Sequence, residues 1–231
     1  MNQCVLFSVA MAEKRTDMPS TRSTTALMDA IQCRAMGPAM ALLNYPNYCR
    51  PNIDVMDEDG NTALHMATQF GLNALVPLLL QHSTNKNAKN NEDKTPLCLA
   101  AKNGHNDTVG LLLRDGVDVH ARDVRGLSAL HFAAWYGYDD VVKVLLSHDA
   151  NVNAQDNNGD TPLILASVGG HLWVVRTMLS GGANVHVRDK SGRTALQIAV
   201  EHGGVALIYE LLQHHIGFVN HYSDMVGTDL I

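Results

Sequence analysis

Every 33 residues along most of this chain the same four-residue string returns: TALH from Thr62, TPLC from Thr95, SALH from Ser128, TPLI from Thr161 and TALQ from Thr194. No insertion breaks that register. A period of this length belongs to a supersecondary unit that cannot bury its apolar face alone and must stack on copies of itself. The rest of the unit repeats as well. An Ala stands five residues after each string begins (Ala67, Ala100, Ala133, Ala166, Ala199) and a Gly nine after (Gly71, Gly104, Gly137, Gly170, Gly203). An apolar pair follows at seventeen and eighteen, from Leu79-Leu80 to Leu211-Leu212. The apolar positions between these marks fall at helical spacing, so each unit reads as helix, turn, helix.

The Thr or Ser opening each string is placed to cap the first helix, and Pro96 and Pro162 fall where a missing N–H costs nothing. The Ala lets neighbouring helices approach, and the Gly at nine ends the first helix in a left-handed turn. Polar segments with Asp and Gly at turn positions, such as 122–127, predict hairpin-like loops between units. Asp93 replaces the loop Gly in one of them, so the loop Lys89 to Lys94 is expected to differ in shape. Pro77 lies near the start of a second helix, where it is tolerated. A degenerate sixth unit precedes the five: Thr25-Ala26-Leu27-Met28 is followed by Ala30 and by Leu42-Leu43 at the right offsets, but it lacks the Gly, and its loop from Asn44 to Asp57 is longer.

The period, the T-P-L-H-like string, the Ala and Gly spacing and the D-x-x-G loop together resemble the ankyrin repeat family over about residues 25–217. The resemblance implies an all-α solenoid of stacked helix-turn-helix units with hairpin-like loops, binding another protein along a concave strip of loop tips and first-helix ends. Residues 1–24 then read as a disordered leader and 218–231 as a C-terminal tail. The apolar run from Cys4 to Ala12 ends like a signal-peptide cleavage site but has no positive flank.

Seventeen basic and twenty-three acidic residues leave a formal charge of -6, which argues against a general affinity for nucleic acid or anionic membrane. Four cysteines without paired spacing fit a reducing compartment, the cytoplasm or nucleus, and a monomer is expected. The sequence contains no phosphate-cradling loop, nucleophile elbow or clustered metal ligands, so no enzyme activity, cofactor or metal is expected. The twelve histidines are absorbed by the repeat. His65 and His131 close the string and, by the resemblance, hydrogen-bond to neighbouring backbone; His105 and His171 follow the helix-ending Gly and read as surface residues. His214, His215 and His221 have no accompanying ligands. The family's loop Asn can be hydroxylated, which the resemblance extends to Asn87 and Asn153 and to His120 and His186 in the same place. The sequon at Asn106 is read as chance.

The binding candidates are the positions that neither core nor loop dictates. Seven and eight residues into each unit stand Gln69-Phe70, Lys102-Asn103, Trp135-Tyr136, Val168-Gly169 and Glu201-His202. In a chain with two Trp and 5% aromatics, adjacent Trp135 and Tyr136 have the character of a hot spot, the alternative being that Trp135 packs on its own loop. Trp173 reads as a packing residue. Loop-tip charge runs from Glu58 and Asp59 through mixed Lys89, Glu92 and Lys94 to Arg122 and Arg125, then Arg188, Lys190 and Arg193, which would suit a partner with acidic groups. The leading expectation is an adaptor or regulator; the alternatives are the ankyrin portion or a short isoform of a larger protein whose activity lies in another domain and, as a weaker reading, a secreted effector.

Overall fold

The computed structural model describes residues 25–44, 52–83 and 85–214, and divides into two compact units, Met1–Val124 and Arg125–Ile231. All regular structure among the described residues is helical. The leader, residues 1–24, and the tail, residues 218–231, lie outside them.

The first unit holds α1 (Ala26–Gln32), α2 (Met36–Leu43), α3 (Ala63–Gln69), α4 (Val76–His82), α5 (Pro96–Lys102) and α6 (Asn106–Arg114). First helices pack on first helices, α1 on α3 and α3 on α5, while α4 packs on α6. The second unit repeats this with α7 (Ala129–Tyr136), α8 (Asp139–Leu146), α9 (Pro162–Val168), α10 (Leu172–Ser180), α11 (Ala195–Glu201) and α12 (205–214). There α7 packs on α9, α9 on α11, and α8 on α10. Each unit is thus two helical layers. The alanines, Ala67 and Ala100 in the first unit and Ala133, Ala166 and Ala199 in the second, lie between them, none more than 1% exposed, which is why a larger side chain has no room there.

Local chemistry sets the helix ends. Thr25, Thr62, Thr95, Thr161 and Thr194 each accept the N–H three residues on through Oγ1. Pro77 sits in the first turn of α4, as the sequence predicts. The five turn glycines have φ between 65° and 80°. The degenerate unit keeps the same turn without glycine: Arg34 takes φ 53°, and its guanidinium lies 5.2 Å from the centre of the Phe70 ring.

The loops are joined by their main chains. The Asn91 amide donates to the Asp59 carbonyl (3.0 Å) and Val124 to Glu92 (3.1 Å) in the first unit; Asn157 donates to Arg125 and Lys190 to Asn158 (both 2.9 Å) in the second. The carboxylate of Asp57 or Asp156, or the Asn90 side chain in that place, braces each loop by accepting two of its own amides. The expectation that Asp93 reshapes its loop is corrected. Asp93 adopts φ 57° and donates to the Asn90 carbonyl at 2.8 Å, as Gly60 does to Asp57 at 3.0 Å. The brace and the ladder hold the turn, and Asp tolerates the left-handed region well enough to follow.

Candidate protein-binding surface

Helix α7 carries the adjacent aromatic pair Trp135 and Tyr136. Its first six residues, Ala129 to Ala134, are buried against neighbouring helices, and the final turn then emerges with Trp135 42% and Tyr136 47% exposed. The Tyr136 ring stacks on Tyr138 with centroids 6.2 Å apart. Val168, at the position of Trp135 in the next repeat, is 41% exposed. The apolar atoms of Trp135 and Tyr136 therefore face water instead of the core, where they are available to a partner.

The backbone beneath them is fixed by a residue the sequence assigned to the surface. His171 is half-buried, and its Nε2 lies 3.0 Å from the Trp135 carbonyl; His105 reaches the Gln69 carbonyl at the same distance in the first unit. Both are partly exposed surface residues that also tie the end of one first helix to the following repeat. The ring of His171 also comes so close that a Cβ on Gly137 would lie 2.6 Å from its Nδ1.

The other candidates differ in how free they are. Gln69 is exposed, Phe70 and Lys102 are half-buried, and exposed Asn103 donates through Nδ2 to the Leu99 carbonyl at 2.8 Å. Arg122, Arg125, Arg188 and Lys190 are exposed. Arg188 donates to the Gly192 carbonyl at 2.6 Å. Arg193 is held by Asp189 at 2.9 Å and Glu201 at 3.3 Å, so its charge is largely answered within its own repeat. Lys94 is 6% exposed and pairs with Glu92, which removes it from the loop-tip charges. Trp173 is 67% exposed with the Arg176 guanidinium 5.1 Å from its ring centre, which corrects its reading as a packing residue. The signal for this was in the repeat: the equivalent places hold Asp107 and Asp140, both exposed.

His65 and His131 are fully buried and act as the resemblance implies. Each accepts the N–H that opens its own string at Nδ1 (3.1 Å), which puts the ring proton on Nε2. From there His65 donates to the Lys94 carbonyl at 3.0 Å, and His131 faces the Ala154 and Asp160 carbonyls at 3.1 and 3.2 Å. Burial lowers the His65 pKa and pushes the Cys98 thiol up, so neither suits chemistry at neutral pH. Thr108 of the sequon is fully buried and bonds to Asn73. Among the described residues no group of three or more His, Cys, Asp or Glu could hold a metal ion, and no helix is long and apolar enough to cross a membrane. His215 and His221 lie outside the described residues.

One acidic pair in the second unit breaks the pattern of the first. Asn90 Nδ2 donates to Asn61 Oδ1 at 2.9 Å; the equivalent places are filled by Asp189 and Asp160, which lack that donor when ionised. Burial, then the charges of Asp156 and Asp189, push the Asp160 carboxyl up to about 6, against the opposing pull of Arg193. Its folded pKa is above its unfolded one. The folded chain therefore holds this proton more tightly, and stability falls as pH rises from about 4 through about 6. The Asp160→Asn substitution should raise stability at pH 7.5 by about 1 kcal/mol, since partial exposure screens much of the full shift, and change nothing at pH 4. Denaturant midpoints at the two pH values check this; an equal gain at both would show that charge is not the cause.

Compared with known families, the chain matches the model described as ankyrin repeats (3 copies) over residues 2–90, 27–123, 70–156 and 130–224. No curated protein matches it.

Proposed function

Because the chain belongs to the ankyrin repeat family, we propose that it is a non-enzymatic adaptor or regulator that binds another protein through Trp135 and Tyr136. Repeats of this family are generally protein–protein interaction modules. What carries the specific reading is that two large aromatic side chains stand 42% and 47% exposed at the end of a helix whose preceding six residues are buried. Large, rigid side chains of this kind dominate binding energies once a partner covers them. Arg125, Arg188 and Lys190 of the same unit add exposed positive charge, so the partner presents an apolar or aromatic anchor with acidic groups around it. Cys33 and Cys98 are free thiols, which supports a reducing compartment, the cytoplasm or nucleus.

Capture from native lysate with the wild-type chain and with a Trp135→Ala, Tyr136→Ala double variant identifies the partner as the protein lost in the variant. Titration of that partner should then show affinity reduced by about thirty-fold or more, roughly 2 kcal/mol, by Trp135→Ala alone. Denaturant stability should stay near that of the wild type, because the side chain is half exposed. Unchanged affinity would overturn the assignment, and loss of folding would return Trp135 to a packing role.

A further inference from the structure

A hydroxyl that serves the fold is buried or hydrogen-bonded. Every described Ser and Thr fits one of these except Ser180 and Ser191. Ser180 ends α10, with its backbone inside the helix. Ser191 is exposed at the tip of the loop before α11 and closes the run Arg188-Asp189-Lys190-Ser191. Its surroundings are one-sided in charge. Asp189 is 7% exposed and held by Arg193, so the charges beside Ser191 without an ion-pair partner among the described residues are those of Arg188 and Lys190. Arg188 precedes the serine by three residues, the distance at which protein kinases with an acidic substrate groove read a guanidinium.

The tip can also be presented to an enzyme. In the preceding loop of the same unit rungs run on both sides, from the Asn157 amide to the Arg125 carbonyl and from the Lys190 amide to the Asn158 carbonyl. Among the described residues the Ser191 loop keeps the second of these and its own closure, the Asp189 amide to the Arg193 carbonyl and the Gly192 amide to the Asp189 carbonyl (both 2.9 Å), while the Ser191 carbonyl accepts no amide. Fewer rungs lower the cost of local opening, and an opened tip can lie extended in a kinase groove.

We propose that Ser191 is a phosphorylation site for an arginine-directed protein kinase, and that the phosphate weakens the hold on an acidic partner by countering Arg125, Arg188 and Lys190. In the transfer the Ser191 Oγ bonds to the γ-phosphorus of ATP, the bond from that phosphorus to the β–γ bridging oxygen breaks, ADP leaves, and the hydroxyl proton passes to the base of the kinase. The product carries about 1.5 to 2 negative charges at pH 7, so it cancels roughly half or more of the positive charge those three residues present. The loop survives the change, because its rung and closure are main-chain bonds in which the Ser191 hydroxyl takes no part. The effect on binding rests on the partner reading of Trp135 and Tyr136; the modification itself does not.

Incubation of the folded full chain with ATP, Mg2+ and calcium/calmodulin-dependent protein kinase, followed by peptide mass spectrometry, is expected to place a phosphate on Ser191. Ser191→Ala should abolish that product, and Arg188→Ala should slow its formation at least about ten-fold. A synthetic peptide of residues 185–198 controls for access. Modification of the peptide but not of the folded chain would overturn the proposal, because the tip then stays closed; failure of both would overturn it through the reading of Arg188. For the second part, the partner lost on Trp135→Ala should bind the phosphorylated chain about ten-fold more weakly at about 0.05 M salt, with the difference shrinking at about 0.5 M as charges are screened. Equal affinity at the lower salt would overturn the effect on binding and leave the Trp135 assignment standing. A partner indifferent to Trp135→Ala would remove that assignment and leave the phosphorylation of Ser191 standing.

Discussion

Replacing Gly137 by Val is expected to remove about 3 kcal/mol of stability or more, and by Ala about 2 kcal/mol. Two effects add. The backbone at Gly137 has φ 80°, a region that costs a side chain roughly 1 kcal/mol and a β-branched one more. Any Cβ would also lie 2.6 Å from Nδ1, 2.7 Å from Cε1 and 2.9 Å from Cγ of His171. That ring cannot retreat without losing the Trp135 carbonyl, 3.0 Å from its Nε2. Gly170 supplies the control: it has φ 70°, but a Cβ there would meet nothing within 4 Å, so Gly170→Ala should show the backbone cost alone. Denaturant unfolding of the two Ala variants measures the difference. Equal losses would mean that His171 moves aside freely and does not hold the end of α7.

His131→Ala should cost a similar amount, about 3 kcal/mol. The imidazole is fully buried and serves the Ser128 amide on one side and the Ala154 and Asp160 carbonyls on the other. Truncation would take the imidazole from the Ser128 amide and the Ala154 carbonyl in a dry interior, at about 1–3 kcal/mol for each that water cannot reach, and would open a void beside them, while the Asp160 carbonyl keeps the Asp156 amide at 3.0 Å. Gln is the informative alternative. Gln197 already shows that a Gln in this place can accept the opening amide, from Thr194 at 2.9 Å. His131→Gln should therefore lose roughly half as much, and equal destabilisation by Ala and Gln would show that packing volume, not hydrogen bonding, sets the requirement.

How far the sequence could be read depended on how local the cause was. Helix starts, the first-turn prolines and the glycine turns follow from residues within a few positions of one another, and the fold emerged from repeating them. What the sequence does not show locally requires two repeats at once. Nothing near His171 in the sequence shows that its ring meets Trp135, 36 residues away, and nothing near Asp160 shows that Asp189 faces it. Trp173 and Lys94 were different. The column through Trp173 includes exposed Asp107 and Asp140, whereas the column through Lys94 mixes buried Leu127 with half-buried Asn61, Asp160 and Arg193. The column therefore places Trp173 at the surface, while the burial of Lys94 goes with its own pairing to Glu92. The exposure of Trp135 and Tyr136 depends on what lies across from the end of α7, which repeat spacing alone cannot supply.

The ladder between loops has a consequence for how such a protein changes over generations. Its rungs join main-chain amides to main-chain carbonyls, so the side chains at those tips contribute little to holding the stack together. Accordingly, the acceptors Asp59, Glu92, Arg125 and Asn158 share one structural position without sharing chemistry. Except at Glu92, whose carboxylate pairs with the buried Lys94, mutation can exchange charge, size or polarity there at little expense in folding, while the alanine and glycine columns stay closed to change. New binding preferences can accumulate at the tips one residue at a time, each intermediate still folded, so divergence in recognition need not pass through unstable sequences.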